Sequence, residues 1–464
     1  MNTQDTICAI ATAQGGAIGV IRISGKDAIA ITDRIFTPVG KHPLPLSERK
    51  AYTMAFGHIR QDDGEIIDEV LIGLFKSPHS YTGEDCVEIS CHGSSFILQQ
   101  VMQLLIRKGC RAAGPGEFTQ RAFLNGKMDL SQAEAVADLI ASSSAATHRM
   151  AMNQMRGGFS RELSALRERL LHLTSLMELE LDFSDHEELE FADRSELETI
   201  AGDIEKVISG LVHSFSVGNV LKNGIPVAIV GETNAGKSTL LNTLLNEEKA
   251  IVSDIPGTTR DVIEDTVNLS GITFRFIDTA GIRDTHDTIE NMGIARSFHK
   301  MEQAEIVLWV VDNTCAEAQI RQLSPRILPL CSNKQLIILL NKSDQVSAVP
   351  TKLSGLPENT VTLSISAKEK TGIQELQNLL VKTASVPELT SSDLIVTNVR
   401  HYEALSLALE DIHRVQNGLQ THLSGDFISQ DLRECLFHLA EIVGGEITAD
   451  EVLGNIFMKF CIGK

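Results

Sequence analysis

The chain has 464 residues, room for two to four domains with ample core material. Its 61 Asp and Glu against 41 Lys and Arg leave a formal net charge of −20, which excludes a broad basic surface for nucleic acid. Any RNA contact would use a local patch or arrive through a partner. Eight scattered cysteines form no C-x-x-C pair, which argues against zinc and disulfide frameworks; Cys86, Cys91 and His92 come nearest to a ligand cluster. The N-terminal stretch carries Asp5 and no basic leader, and no apolar run reaches about 18 residues. A soluble, cytoplasmic protein without a membrane role is expected.

Residues 1–120 mix short alternating or apolar runs (Ile18 to Ile23, Val70 to Phe75, Val87 to Ser90) with a helical pattern from Ser95 to Lys108. That is the signature of a small α+β domain. Three stretches are dense in functional residue types: Arg22-Ile23-Ser24-Gly25, Tyr81-Thr82-Gly83-Glu84-Asp85-Cys86-Val87-Glu88, and the run from Pro115-Gly116-Glu117-Phe118 to Gly126-Lys127. On the residues alone, Arg22, Glu88 and Lys127 are polar contacts or surface ion pairs.

The character changes at Asp129. Residues 121–218 read as helical: Ser131-Gln132-Ala133-Glu134 has the pattern of a capping box, opening one long tract from Gln132 to Leu181. An acidic stretch, Asp182 to Glu190, interrupts it as a solvated loop, a cation site being the alternative reading. Helix resumes from Ser195 to Phe215.

Residues 219–386 alternate strand and helix, implying a parallel sheet, and carry five segments in the order a guanine-nucleotide switch requires. Gly231-Glu232-Thr233-Asn234-Ala235-Gly236-Lys237-Ser238 follows a strand, Pro226 to Val230, and opens a helix. Its amides and helix N-terminus suit phosphate, Lys237 reaches the β- and γ-phosphates, and the Ser238 hydroxyl suits Mg²⁺. Gly257-Thr258-Thr259-Arg260-Asp261 reads as a first switch, with Thr259 as a second Mg²⁺ ligand. Asp278-Thr279-Ala280-Gly281 reads as the γ-phosphate sensor, Asp278 holding Mg²⁺ through a water.

Asn341-Lys342-Ser343-Asp344, after a strand from Gln335 to Leu340, reads the base, and Ser366-Ala367-Lys368 braces it. The Asp344 carboxylate accepts from N1–H and the exocyclic amine of guanine. Adenine leaves it unpaired, a loss of roughly 2–4 kcal/mol, so GTP is expected over ATP. After Pro387, residues 387–464 return to helices at Val399 to Asn417, Ser429 to Val443 and, behind Thr448-x-x-Glu451, Ala449 to Phe460. Helices on both sides of the nucleotide domain suggest that it is inserted into a helical domain. The tail Cys461-Ile462-Gly463-Lys464 fits a prenylation box poorly, and Cys461 alone reads as a buried small hydrophobe more than as a nucleophile.

Taken together, these segments resemble the MnmE (TrmE) family of tRNA-modifying GTPases from end to end, through Arg-Ile-Ser-Gly, Thr-Gly-Glu-Asp, Pro-Gly-Glu-Phe, the inserted nucleotide domain and the Cys-Ile-Gly-Lys tail. The resemblance implies a multi-domain α/β protein: an N-terminal α+β folate-binding domain, an all-α helical domain, and an inserted Ras-like α/β P-loop G domain. It also implies a homodimer built through the N-terminal domains. A flavoprotein partner, MnmG (GidA), in a heterotetramer-type complex, would share an aminomethyl-type modification at C5 of the wobble uridine of certain tRNAs. The carbon unit would come from a tetrahydrofolate derivative, 5,10-methylene or 5-formyl.

By position, Arg22, Glu88, Lys127 and Lys464 match the family's folate contacts. Asn234, Thr258 and the Ser253 and Ile255 carbonyls match a K⁺ site, where a monovalent cation does the work of an arginine finger. Glu290, twelve residues beyond Asp278, matches a water-orienting carboxylate, needed because Ile282 follows Gly281 where Ras-type enzymes carry glutamine. With Lys237 and Asn234 it makes the expected catalytic set. The expected GTP contacts add Ala235, Gly236, Ser238, Thr239, Asp254, Pro256, Gly257, Thr279 and Ala280 to the residues above. Thr233 departs from the family's usual proline without removing a ligand, and Cys461 is carried over only as a possible site residue. A ribosome-assembly GTPase switch, which would need an RNA-binding module, and a GTP-gated folate carrier are the competing readings.

Overall fold

The computed structural model describes residues 5–13, 15–40, 43–182, 194–248, 265–277, 301–346, 356–357, 360–384 and 394–445, together with Phe457, Phe460 and Gly463. The chain divides into two compact units. One comprises Met1–Ala141, Ala151–Ser209 and Glu403–Lys464, the other Ser142–Met150 and Gly210–Tyr402.

In the first unit, strands β1 (Ile7–Ile10), β2 (Ile18–Ser24), β3 (Phe36–Pro38), β4 (Thr53–Arg60), β5 (Ile66–Phe75), β6 (Cys86–His92) and β7 (Arg111–Ala112) form one sheet. Their order is β3-β4-β5-β6-β2-β1-β7, and only β1 and β7 run parallel. Alternation along β5 sends Val70, Ile72 and Leu74 into the core, where they meet Ile31 of helix α1 (Ala28–Asp33) and Leu98, Val101, Leu104 and Leu105 of α2 (Ser95–Arg107). The opposite face carries Glu88 opposite Arg22 in register, and the exposed side chains Met54, Phe56 and Leu71.

The helices of this unit show buried residues three and four apart. On α6 (Gly158–Asp182) these are Leu163, Leu166, Leu170, Leu173 and Met177. On the helix Gly425–Val443, which packs along α6, they are Ile428, Leu432, Cys435, Leu439 and Ile442. The expected single tract from Gln132 is corrected to three helices: α4 (Leu130–Ala141), α5 (Ala145–Met155) and α6. Competing local hydrogen bonds and backbone stop it. Ser144 and Thr147 cap α5 reciprocally, each side-chain oxygen taking the other's amide at 3.1 Å, and Gly157 turns left-handed at φ +74° before α6.

The capping box also sits elsewhere. Asp129 Oδ1 accepts from the Gln132 amide at 2.9 Å and Gln132 Oε1 accepts from the Asp129 amide at 3.0 Å, so the pair is Asp129-x-x-Gln132 and not Ser131 with Glu134. Helix α7 runs Arg194–Asn223, past the expected end at Phe215. The acidic stretch beyond Asp182 and the proposed helix Ala449 to Phe460 lie outside the described residues, apart from Phe457 and Phe460, which pack with Leu130 and Ala133.

In the second unit, β8 (Ile225–Val230), β9 (Asp265–Leu269), β10 (Ile272–Phe276), β11 (Ile306–Asp312), β12 (Gln335–Asn341) and β13 (Val361–Ser364) form a sheet ordered β13-β12-β11-β8-β10-β9. All neighbours are parallel except the β9–β10 hairpin. β11 is a nearly unbroken apolar run because both of its faces are covered: Ile306, Leu308 and Val310 enter one core, and Val307, Trp309 and Val311 the other.

Candidate nucleotide site and N-terminal charge cluster

β8 leads into the glycine-rich turn, and helix α8 (Lys237–Glu248) starts on its last residues. Asn234 (φ +62°) and Gly236 (φ +98°) are left-handed, the backbone that gathers consecutive amides into an anion-binding concavity. Lys237 Nζ donates to the carbonyls of Gly231 (2.8 Å) and Glu232 (2.6 Å), which fixes the ammonium over the loop. Ser238 and Thr239 follow in the first turn of α8.

The base-reading segment is tied to this loop. Asn341, at the end of β12 and 3% exposed, donates from Nδ2 to the Ala235 carbonyl at 2.8 Å and accepts the Ala367 amide at 3.0 Å. One side chain therefore joins three of the expected motifs. Ser366 Oγ donates to Asp344 Oδ1 at 2.6 Å and holds that carboxyl below the usual carboxylate range, so it presents an anion at neutral pH. Lys342, left-handed at φ +64°, places its ammonium 2.5 Å from Asp312 Oδ2 at the end of β11. Burial works against the Asp312 charge, but Lys342 and Thr314 outweigh it and hold its pKa low. Lys368 is exposed beside Glu369.

The structure thus brings Asn234 to Thr239 together with Asn341, Asp344, Ser366 and Ala367. Ser253, Asp254, Ile255, Pro256, Gly257, Thr258, Thr259, Asp278, Thr279, Ala280, Gly281 and Glu290 lie outside the described residues, as do Cys461 and Lys464.

In the first unit, the three residue-dense stretches meet. Arg22 Nε and Nη2 contact Glu88 Oε1 at 2.9 and 2.8 Å, and Nη1 donates to the Gly463 carbonyl at 3.4 Å, so the tail reaches β2. The guanidinium lies over the rings of Tyr81 and Phe118, 5.5 and 5.7 Å from their centroids. Lys127 sits on the neighbouring loop, its ammonium donating to the Pro78 carbonyl at 2.9 Å.

Beneath them, Arg121 of helix α3 (Glu117–Leu124), 3% exposed, binds Glu84, Glu117 and Asp5. Glu84 also accepts from Ser24 Oγ at 2.8 Å. Sequence reasoning named the stretches but not this Arg121–Glu84 link. Opposite charges in two polar-dense stretches were the available signal, and nothing local paired them. Gln319 and Asp312, which flank the phosphate loop, carried no signal at all. Burial pushes the Cys86 and Cys91 thiols up, to about 12 and about 11, which leaves both poor nucleophiles.

A lysine- and serine-ended phosphate loop on a mainly parallel sheet, joined by one asparagine to an Asn-Lys-Ser-Asp base reader, defines a P-loop GTP-binding domain. Residues 6–127 match the family described as GTP-binding protein TrmE N-terminus, and residues 130–461 the MnmE helical domain. Curated relatives named tRNA modification GTPase MnmE include those of Bacteroides thetaiotaomicron (66% identical, 99% of this chain and 100% of the relative), Phocaeicola vulgatus (63%, 100% of each) and Flavobacterium johnsoniae (52%, 100% of each). The chain belongs to the MnmE family of tRNA modification GTPases and is a GTP hydrolase. Among its described residues, no helix is long and apolar enough to cross a membrane.

Proposed function

We propose that this GTPase works in the cytoplasm on tRNA, with a flavoprotein of the MnmG type. Together they would install an aminomethyl-type group at C5 of the wobble uridine, using a tetrahydrofolate one-carbon unit. The observation that carries this reading is the meeting of Arg22, Glu88 and the C-terminal tail on one face of the N-terminal sheet. A pteridine–glutamate ligand fits that donor set: its ring takes a carboxylate acceptor and its tail takes cations, here Arg22 and Lys127, with Lys464 expected to join them. Cys461, two residues before Gly463 in the sequence, is kept as a candidate site residue. The full-length likeness to MnmE relatives favours this reading over a ribosome-assembly switch.

In the G domain, Asn234 to Thr239 would hold the phosphates and Asn341, Lys342, Asp344 and Ser366 to Lys368 the base, the switch residues 253–259 and 278–281 closing over GTP. Ser238 and Thr259 offer hydroxyl oxygens of the kind Mg²⁺ takes, and that ion supplies charge neutralisation when bound. Asn234 with Ser253, Ile255 and Thr258 would hold K⁺, and Glu290 would orient the attacking water. Exposed Met54, Phe56 and Leu71 on the open sheet face support a homodimer through the N-terminal domains.

Two measurements test this. Titration of 5-formyltetrahydrofolate into the full chain should saturate, and Arg22→Met should weaken it about tenfold or more; an unchanged affinity would remove the folate assignment. GTP hydrolysis should run several-fold faster in potassium than in sodium chloride of equal strength. Equal rates would remove the cation site.

A further inference from the structure

Glu232 puts a carboxylate inside a loop whose other features all favour anions. The Lys237 ammonium of that loop donates to the backbone carbonyl of Glu232 itself. A mobile carboxylate there would repel a polyphosphate, since like charges a few ångströms apart near a protein surface disfavour each other.

The side chain is not left to wander. Gln319, on the helix Ala316–Ile327 and 7% exposed, donates from Nε2 to Glu232 Oε2 at 2.8 Å. The Gln319 carboxamide is fixed in turn, because its Oε1 accepts the Asp312 amide at 2.9 Å where β11 ends. The amide cannot flip without giving up both bonds. Asp312 then takes the Lys342 ammonium on its own carboxylate. A part-buried line of contacts therefore runs from the phosphate loop through Gln319 and Asp312 to the base reader.

We infer that Gln319 is a positioning residue for GTP binding, clamping the Glu232 carboxylate to the flank of the sheet and clear of the polyphosphate. It touches no nucleotide atom itself and acts through the loop. The inference rests on the loop binding GTP, which the unaltered chain reports in the same assay.

The test is a binding titration of a fluorescent guanine nucleotide, with magnesium, into full-length variants whose folding is checked by thermal denaturation. Gln319→Glu keeps the side-chain volume and the bond from the Asp312 amide but sets two carboxylates against each other. It should weaken binding about tenfold, and by less at high salt. The exchange Glu232→Gln with Gln319→Glu restores a donor and an acceptor in reversed order, and should return affinity to within about threefold of the starting chain. Should Gln319→Glu fail to fold, Gln319→Met replaces it, again to be rescued by Glu232→Gln, since the loop then carries no charge to misplace. A merely structural Gln319 would show no such rescue. Unchanged affinity in the folded single variant, or a paired variant as weak as the single one, overturns the inference.

Discussion

At Gly236 a β-carbon would stand 2.1 Å from Asn341 Nδ2, and φ of +98° already disfavours any other residue. Gly236→Ala must therefore push Asn341 off both the Ala235 carbonyl and the Ala367 amide. The predicted outcome is a loss of GTP affinity of about a hundredfold or more, with the far-ultraviolet circular dichroism unchanged; a tenfold loss or less would mean that Asn341 yields cheaply. The residue identities at this site were legible because phosphate and guanine recognition demand particular chemistry at short spacing. The double duty of Asn341 was not, since its two partners, the Ala235 carbonyl and the Ala367 amide, reach it only when the sheet sets β8 and β12 on either side of β11 and brings up the Ser366 segment.

Among the elements, α3 shows how a helix is held by charge. Burial raises the Glu117 carboxyl, but Arg111, the Gly114 amide and Arg121 outweigh it; the bond from Arg111, with Arg121 beside it, likewise holds Asp5 low. Both folded-state pKa values lie below their unfolded ones. Their contribution is thus present above the ordinary carboxylate range, near pH 4, and is lost as pH falls through the folded values. Arg121→Met removes one of the two cations that Glu117 and Asp5 share and leaves Arg111 holding both, at a cost of roughly 1–3 kcal/mol. The denaturation midpoint should fall by several degrees at pH 7, and the difference from the parent should shrink toward pH 3. A constant difference across that range would rule out the charge account. Helical periodicity was readable from the sequence on α6 and on Gly425–Val443, because apolar spacing is local. The breaks inside the Gln132 to Leu181 tract were harder to read, since serine caps and a single glycine leave the apolar rhythm almost intact.

For the whole molecule, the division into two units places residues 210–402 in one of them and brings the N-terminal sheet and the flanking helices into the other. The second unit has its own sheet, with a core on each face. A fragment spanning residues 210–402 is therefore predicted to unfold cooperatively and to bind GTP within about threefold of the full chain. A fragment that is folded yet fails to bind would show that GTP recognition needs the rest of the protein.

By itself the sequence determined the class of chemistry: a lysine, a serine, an asparagine and an aspartate at set spacings choose GTP because donors, acceptors and charge are properties of residue type. It also determined the periodicities, and with them the α+β, α/β and helical regions. Only the tertiary structure decided who meets whom. Glu84 finds Arg121, Arg22 finds the tail at Gly463, and Gln319 finds Glu232 across 87 positions of chain. Such pairings follow from strand order and helix packing, which sum many weak apolar contacts over the whole chain and leave no mark in any short stretch of it.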